Sequence, residues 1–210
     1  MPLTPPVNRE HMHTRRIECR GFLRHDGLWD IEATLGDTKG YPFDSQWRGE
    51  ISAGEPVHGM EMRLTMDDGY LIHEVEAVTD HSPFPVCPSI TSNFQRLKGL
   101  RVTGGFSRKA REFVGGTKGC THLLHLLQVM ATVAFQTIRP RGKDGNRIER
   151  PPEGDSRSPL INSCHAWAEQ GEAVRLWFPK FYTGPQQPGP TEAAEAAKSA
   201  GQAGQAGQTG

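Results

Sequence analysis

The sequence predicts an α+β fold, an antiparallel sheet built from hairpins with a few helices packed on one face. Two observations carry that expectation. The first half of the chain holds segments of alternating apolar and polar residues that pair with one another across tight turns containing Asp-Gly, and the helical periodicities come later. Strands first and helices after them is the order of an α+β protein rather than of alternating βαβ units.

Taken in chain order, residues 1–14 carry prolines and histidines but no apolar stretch, so they are expected to be disordered. A three-residue loop, His25-Asp26-Gly27 with Gly27 in the left-handed conformation, pairs Leu23 with Trp29, Gly21 with Ile31, Cys19 with Ala33 and Ile17 with Leu35. That register gathers one apolar face. It sets Arg20 opposite Glu32 and Glu18 opposite Thr34 on the other, as in a half-buried antiparallel pair. A second hairpin is expected to turn at Asp68-Gly69. A two-residue loop there pairs Met66 with Leu71, Leu64 with His73, Met62 with Val75 and Met60 with Ala77, with Arg63 opposite Glu74 on the reverse face.

A proline-stiffened loop from Asp80 to Pro88 leads to a helical segment around Ser89–Leu97. Ser107 reads as the cap of a second helix over Arg108–Val114, which Gly115 and Gly116 end. The third helix, from about Cys120 to Ile138, stops before Pro140. A mixture of Pro, Gly and charges marks a surface loop near 140–158, and Ala173–Phe178 reads as a last strand. From Gly184 onward the chain has no aromatic or large aliphatic residue, so 184–210 is expected to be a disordered low-complexity tail. Residues 15–183 then form a single α+β domain.

The chain has 210 residues and 35% hydrophobic content, enough for one core. Its 24 basic and 24 acidic side chains form no long block of either sign, so neither nucleic acid nor an anionic membrane is an expected partner. No run approaches the roughly 20 apolar residues of a membrane span, and no apolar leader opens the sequence. Cys19, Cys87, Cys120 and Cys164 form no C-x-x-C pair and are too few for a secreted disulfide scaffold. Reduced thiols and a cytoplasmic location follow.

The stretch Gly115-Gly116-Thr117-Lys118-Gly119-Cys120-Thr121-His122 runs from a glycine-rich turn into the one long apolar helix. A thiol at the positive end of a helix is a better nucleophile or metal ligand, and His122 and His125 lie within the next turn and a half. Cys120 and His122 stand about 200° apart on an ideal helix, so they converge only if Cys120 belongs to the turn before it. Cys120 and His122 are the candidate catalytic residues. Cys87, held in Pro-Val-Cys-Pro beside Asp80 and His81, is the natural partner from elsewhere, making Cys87, Cys120 and His122 the candidate ligands for zinc or iron.

On the same helix Thr121, His125, Gln128, Thr132 and Gln136 form a narrow polar stripe, which either meets water or lines a pocket. Cys19 falls on the apolar face of the first hairpin and reads as core, and His73 on the apolar face of the second as a hydrogen-bonded structural imidazole. Cys164 and His165 are neighbours whose joint use needs irregular backbone. Asp30, Glu32 and Asp37 read as solvated carboxylates, and His58 starts a strand with either a structural or an active role.

Arg24-His25-Asp26-Gly27-Leu28-Trp29-Asp30-Ile31-Glu32, Gly54-Glu55-Pro56-Val57-His58, Met62-Arg63-Leu64, Gly115-Gly116 to His122, Ala134-Phe135-Gln136-Thr137 and Cys164-His165-Ala166 together resemble the bacterial proteins grouped as domain of unknown function 2889. The resemblance implies a single domain and no settled activity. At the level of element order alone, an Asp-Gly hairpin, a cysteine loop at Cys87 and Cys120 opening a helix are similar to the iron–sulfur scaffold family. The functional expectation is a small cytosolic enzyme acting on an organic acid, thioester or aromatic metabolite, with a Cys/His site and a metal in one version. The alternative is a non-enzymatic metal or iron–sulfur carrier or accessory subunit. A third reading is a binding module in which the cysteines are core packing.

Overall fold

In the computed structural model, which describes residues 3–138, 157–158 and 160–185, strand β1 (His13–Leu23) returns into β2 (Trp29–Lys39) through the His25-Asp26-Gly27 loop. Gly27 takes φ 88°, the Arg24 N–H donates to the Leu28 carbonyl at 2.8 Å, and Leu23 faces Trp29. Every pairing expected of this hairpin is present, down to Ile17 opposite Leu35. Strand pairing begins at His13, inside the stretch expected to lack structure.

A small sheet of β3 (Phe43–Ser45) and β4 (Gly49–Ile51) intervenes before β5 (Pro56–Met66) and β6 (Ile72–His81). The main sheet has the order β1-β2-β5-β6 and is antiparallel throughout. Its second hairpin corrects the expected register. Asp67, rather than the Asp68-Gly69 pair, governs the turn: its Oδ1 accepts the N–H groups of Gly69 at 2.8 Å and Leu71 at 3.0 Å, and Tyr70 adopts φ 61°. The turn is thereby longer, and an irregularity falls between Thr65 and Met66. Met66 pairs with Ile72 rather than Leu71, Leu64 with Val75 rather than His73, Met62 with Ala77 rather than Val75, and Met60 with Thr79 rather than Ala77. Arg63 meets Glu76 rather than Glu74, and His73 leaves the apolar face to bond Asp67 at 3.1 Å.

After β6 the helical signal near Ser89 extends as a 3-10 helix over Cys87–Leu97, packed on β6. Helix α1 (Phe106–Val114) begins ahead of Ser107, with Gly105 at φ 85° in the cap position. Helix α2 (Thr121–Thr137) packs across β1, β2 and β5, burying Leu123, Leu126, Leu127, Met130 and Ala134. The spacing of those residues is that of one helical face, and the stripe Thr121, His125, Gln128, Thr132 and Gln136 is exposed. Against α2 the sheet presents Trp29, Ile31, Ala33 and Leu35 from β2 and Met60, Met62, Leu64 and Met66 from β5, all buried. No helix among the described residues is long and apolar enough to cross a membrane.

The chain divides into two compact units, Met1–Ile148 and Glu149–Gly210. In the second unit Ala173–Phe178, expected as a strand, lies in helix α3 (Glu172–Trp177) and the residue that follows it. Val174 and Phe178, 0% and 9% exposed, sit one helical turn apart over Ile161 and Trp167, and Arg175 Nε donates to Glu172 at 2.8 Å. A six-residue segment that is apolar but for Arg175 fits either periodicity, and here the apolar contacts are made at helical spacing. The surface loop expected near 140–158 and the tail expected from 184 lie almost wholly outside the described residues.

Candidate functional site

The alternation that builds the core also builds the site. On β2 the buried series Trp29, Ile31, Ala33, Leu35 continues by two residues to Asp37, which is 1% exposed. On β5 the series Met66, Leu64, Met62, Met60 continues to His58, and on β1 Cys19 and Ile17 continue to Arg15 and His13. The register sets Arg15 opposite Asp37 and Asp37 opposite His58, so one cross-strand row of three polar residues ends the apolar face.

Arg15 grips the carboxylate with its side fork, Nε to Oδ1 and Nη2 to Oδ2, both at 2.7 Å. His58 Nδ1 lies 3.0 Å from Oδ2, and His13 Nε2 lies 3.4 Å from Oδ1. From α2, His122 lays its ring against His58 with centroids 4.0 Å apart and brings Nε2 to 3.6 Å from Asp37 Oδ2. Cys120 precedes the helix in extended backbone, φ −117° and ψ 131°, which lets its sulfur come within 3.7 Å of His122 Nδ1. Cys120 thus belongs to the turn before the helix, the condition under which its sulfur can approach His122. Position 125 adds a second imidazole from α2, with His125 Nδ1 3.4 Å from Arg15 Nη1.

Burial opposes the charge on Asp37, but the Arg15 guanidinium and the two imidazoles outweigh it and hold the carboxyl below its ordinary value. Arg15 is raised in return by its bond to Asp37. Burial pushes His58 down despite Asp37 beside it, and burial, His58 and Arg15 together push His122 down to about 4. At neutral pH the cluster thus holds an ionised carboxylate and two neutral imidazoles, the forms that bind metals.

Among the described residues, the group whose ligand atoms come close enough to share a metal ion is Asp37, His58 and His122, all within 4.8 Å of one another. Ligands about 2.0–2.2 Å from a tetrahedral ion stand roughly 3.4 Å apart, close to the 3.0 and 3.6 Å from Asp37 Oδ2 to the two imidazoles. Cys120 faces the other ring nitrogen of His122, and Cys87 opens the 3-10 helix packed on β6 and has no place in the group. Burial raises Cys19 to about 11, as befits a thiol packed against the core. Cys164 is an exposed thiol of the second unit, where it precedes the turn His165–Trp167.

Asp37, His58, Arg15 and His13 carry most of the site, and sequence reasoning placed none of them together. The signal was present as period-two continuation of three strands that each read as core.

No curated protein and no solved structure matches the chain. The model of the family described as "Protein of unknown function (DUF2889)" matches residues 13–136, a span that contains every residue of the cluster from His13 to His125. By that match the chain belongs to the DUF2889 family.

Proposed function

We propose that the protein holds a divalent transition metal, zinc or iron, on Asp37, His58 and His122, and uses it as an enzyme on an organic acid, thioester or aromatic metabolite. The observation that carries this reading is the convergence of one buried carboxylate and two imidazoles within 4.8 Å. Three protein ligands leave coordination positions for water and substrate, as in catalytic rather than closed structural sites. Two histidines and a carboxylate also suit iron(II) with open positions. Arg15 serves as the outer partner that orients the carboxylate.

A metal-free reading has its own observation, because Cys120, His122 and Asp37 follow one another at 3.7 and 3.6 Å like a nucleophile, base and orienting carboxylate. An imidazole pushed down to about 4 by burial, His58 and Arg15 is a weak proton acceptor, which favours the metal. The iron–sulfur carrier alternative needs cysteines that converge, and neither Cys87 nor Cys120 belongs to the metal-sized group among the described residues.

The test uses the full chain without a histidine tag, stripped and then titrated with Zn²⁺ or, without oxygen, Fe²⁺. One equivalent should bind, and His58→Ala and His122→Ala should each weaken it at least about a hundredfold. No stoichiometric metal, or undiminished binding in both variants, refutes the proposal.

A further inference from the structure

The Arg15 guanidinium has five N–H donors, and Asp37 takes two of them through the side fork of Nε and Nη2. The end fork of Nη1 and Nη2 is left, and its recorded contact is the long 3.4 Å approach to His125 Nδ1. Arg15 and His13 are 33% and 48% exposed at their side chains, and His125 is exposed, so this edge is open to solvent while Asp37 behind it is not. Asp37 balances Arg15, so a divalent ion at the centre would leave its own charge uncompensated. The arrangement calls for an anion at the open edge.

We propose that the end fork of Arg15, with His125 against Nη1 and His13 on the same exposed edge, seats the carboxylate of a small organic acid beside the Asp37–His58–His122 centre. This deepens the metal reading and rests on it. A planar guanidinium fork matches a planar carboxylate with two parallel hydrogen bonds, which a lysine ammonium cannot reproduce. Of the two imidazoles, His125 lies against Nη1 of that fork at 3.4 Å, and His13 lies 3.4 Å from Oδ1 of the carboxylate that Arg15 holds. Bound in this way, the acid would have its carboxylate held by β1 and α2 and the rest of the molecule next to the metal.

The experiment titrates the Zn²⁺-loaded full chain with acetate, benzoate and inorganic phosphate, using calorimetry and histidine ring NMR signals, and measures metal stoichiometry in every variant. Acetate or benzoate should bind and shift the His13 and His125 signals. Arg15→Lys should weaken that binding about tenfold or more. His13→Gln and His125→Gln should each weaken it about threefold, with metal content unchanged in His125→Gln, which touches no proposed metal ligand. Equal binding by the wild type and both histidine variants, binding of phosphate but of neither carboxylate, or no binding at all overturns the seat even if metal is retained. Should the chain take up no metal while benzoate still depends on Arg15 and His125, the metal reading falls and the carboxylate seat stands.

Discussion

Two arginine–carboxylate groups lie on opposite faces of the same sheet and differ in everything but chemistry. On the outer face Arg63 bridges Glu32 at 2.7 Å and Glu76 at 2.9 Å, with all three side chains at least 36% exposed. On the inner face Arg15 holds Asp37 twice at 2.7 Å, and the carboxylate side chain is 2% exposed. Water and salt compete for the first group, and such exposed pairs contribute about 0–1 kcal/mol. Asp37 has lost its water, so its charge persists only through Arg15 and the imidazoles around it. Residue identity alone does not separate a solvated lattice from a site. The face of the strand does.

The largest effect should come from Asp37→Ala. It should abolish metal binding and, with the metal absent, lower the unfolding free energy in urea by roughly 2–3 kcal/mol, less than a fully buried pair would lose because Arg15 can rehydrate. Gly27→Val comes next, at roughly 1–3 kcal/mol. No atom lies within 4 Å of a Cβ built there, so the cost is the φ of 88° rather than a clash, and it falls on the turn that keeps Arg15 opposite Asp37. Arg63→Ala should cost under about 1 kcal/mol and less in high salt. A loss for Arg63→Ala equal to that for Asp37→Ala would erase the distinction between the faces.

The smallest effect concerns pH. Burial raises the Asp67 carboxyl, but the Leu71 N–H, His73 and the Gly69 N–H outweigh it and hold it below its ordinary value. A depressed folded value contributes stability above the unfolded value near about 3.9, and that contribution is lost as pH falls through the lower folded value. Urea midpoints followed downward from about pH 5 should therefore fall further for the wild type than for Asp67→Asn. Parallel curves would remove Asp67 as the group that sets this turn.

The first hairpin was legible because one glycine and one alternation agree on its register. The second was not, since the Asp67 side chain competes for the turn and Tyr70 takes a conformation that glycine would ordinarily supply. The meeting of Cys120 with His122 could be read from Gly119, which keeps Cys120 out of the helix. Asp37 and His58 could not be paired from local spacing, because β2 and β5 are joined across the small β3–β4 sheet. Asp37 also looked like a solvated carboxylate, and His58 equally structural or active, until the strand's own period was carried past its last apolar member.

X-ray absorption at the zinc edge of the metal-loaded full chain tests the central claim most directly, because it distinguishes the inner-face row from the cysteines. The account expects a first shell of nitrogen and oxygen alone near about 2.0–2.1 Å, lost in His122→Ala and unchanged in Cys87→Ala. A sulfur neighbour at about 2.3 Å would contradict it and return the ligands to Cys87 and Cys120.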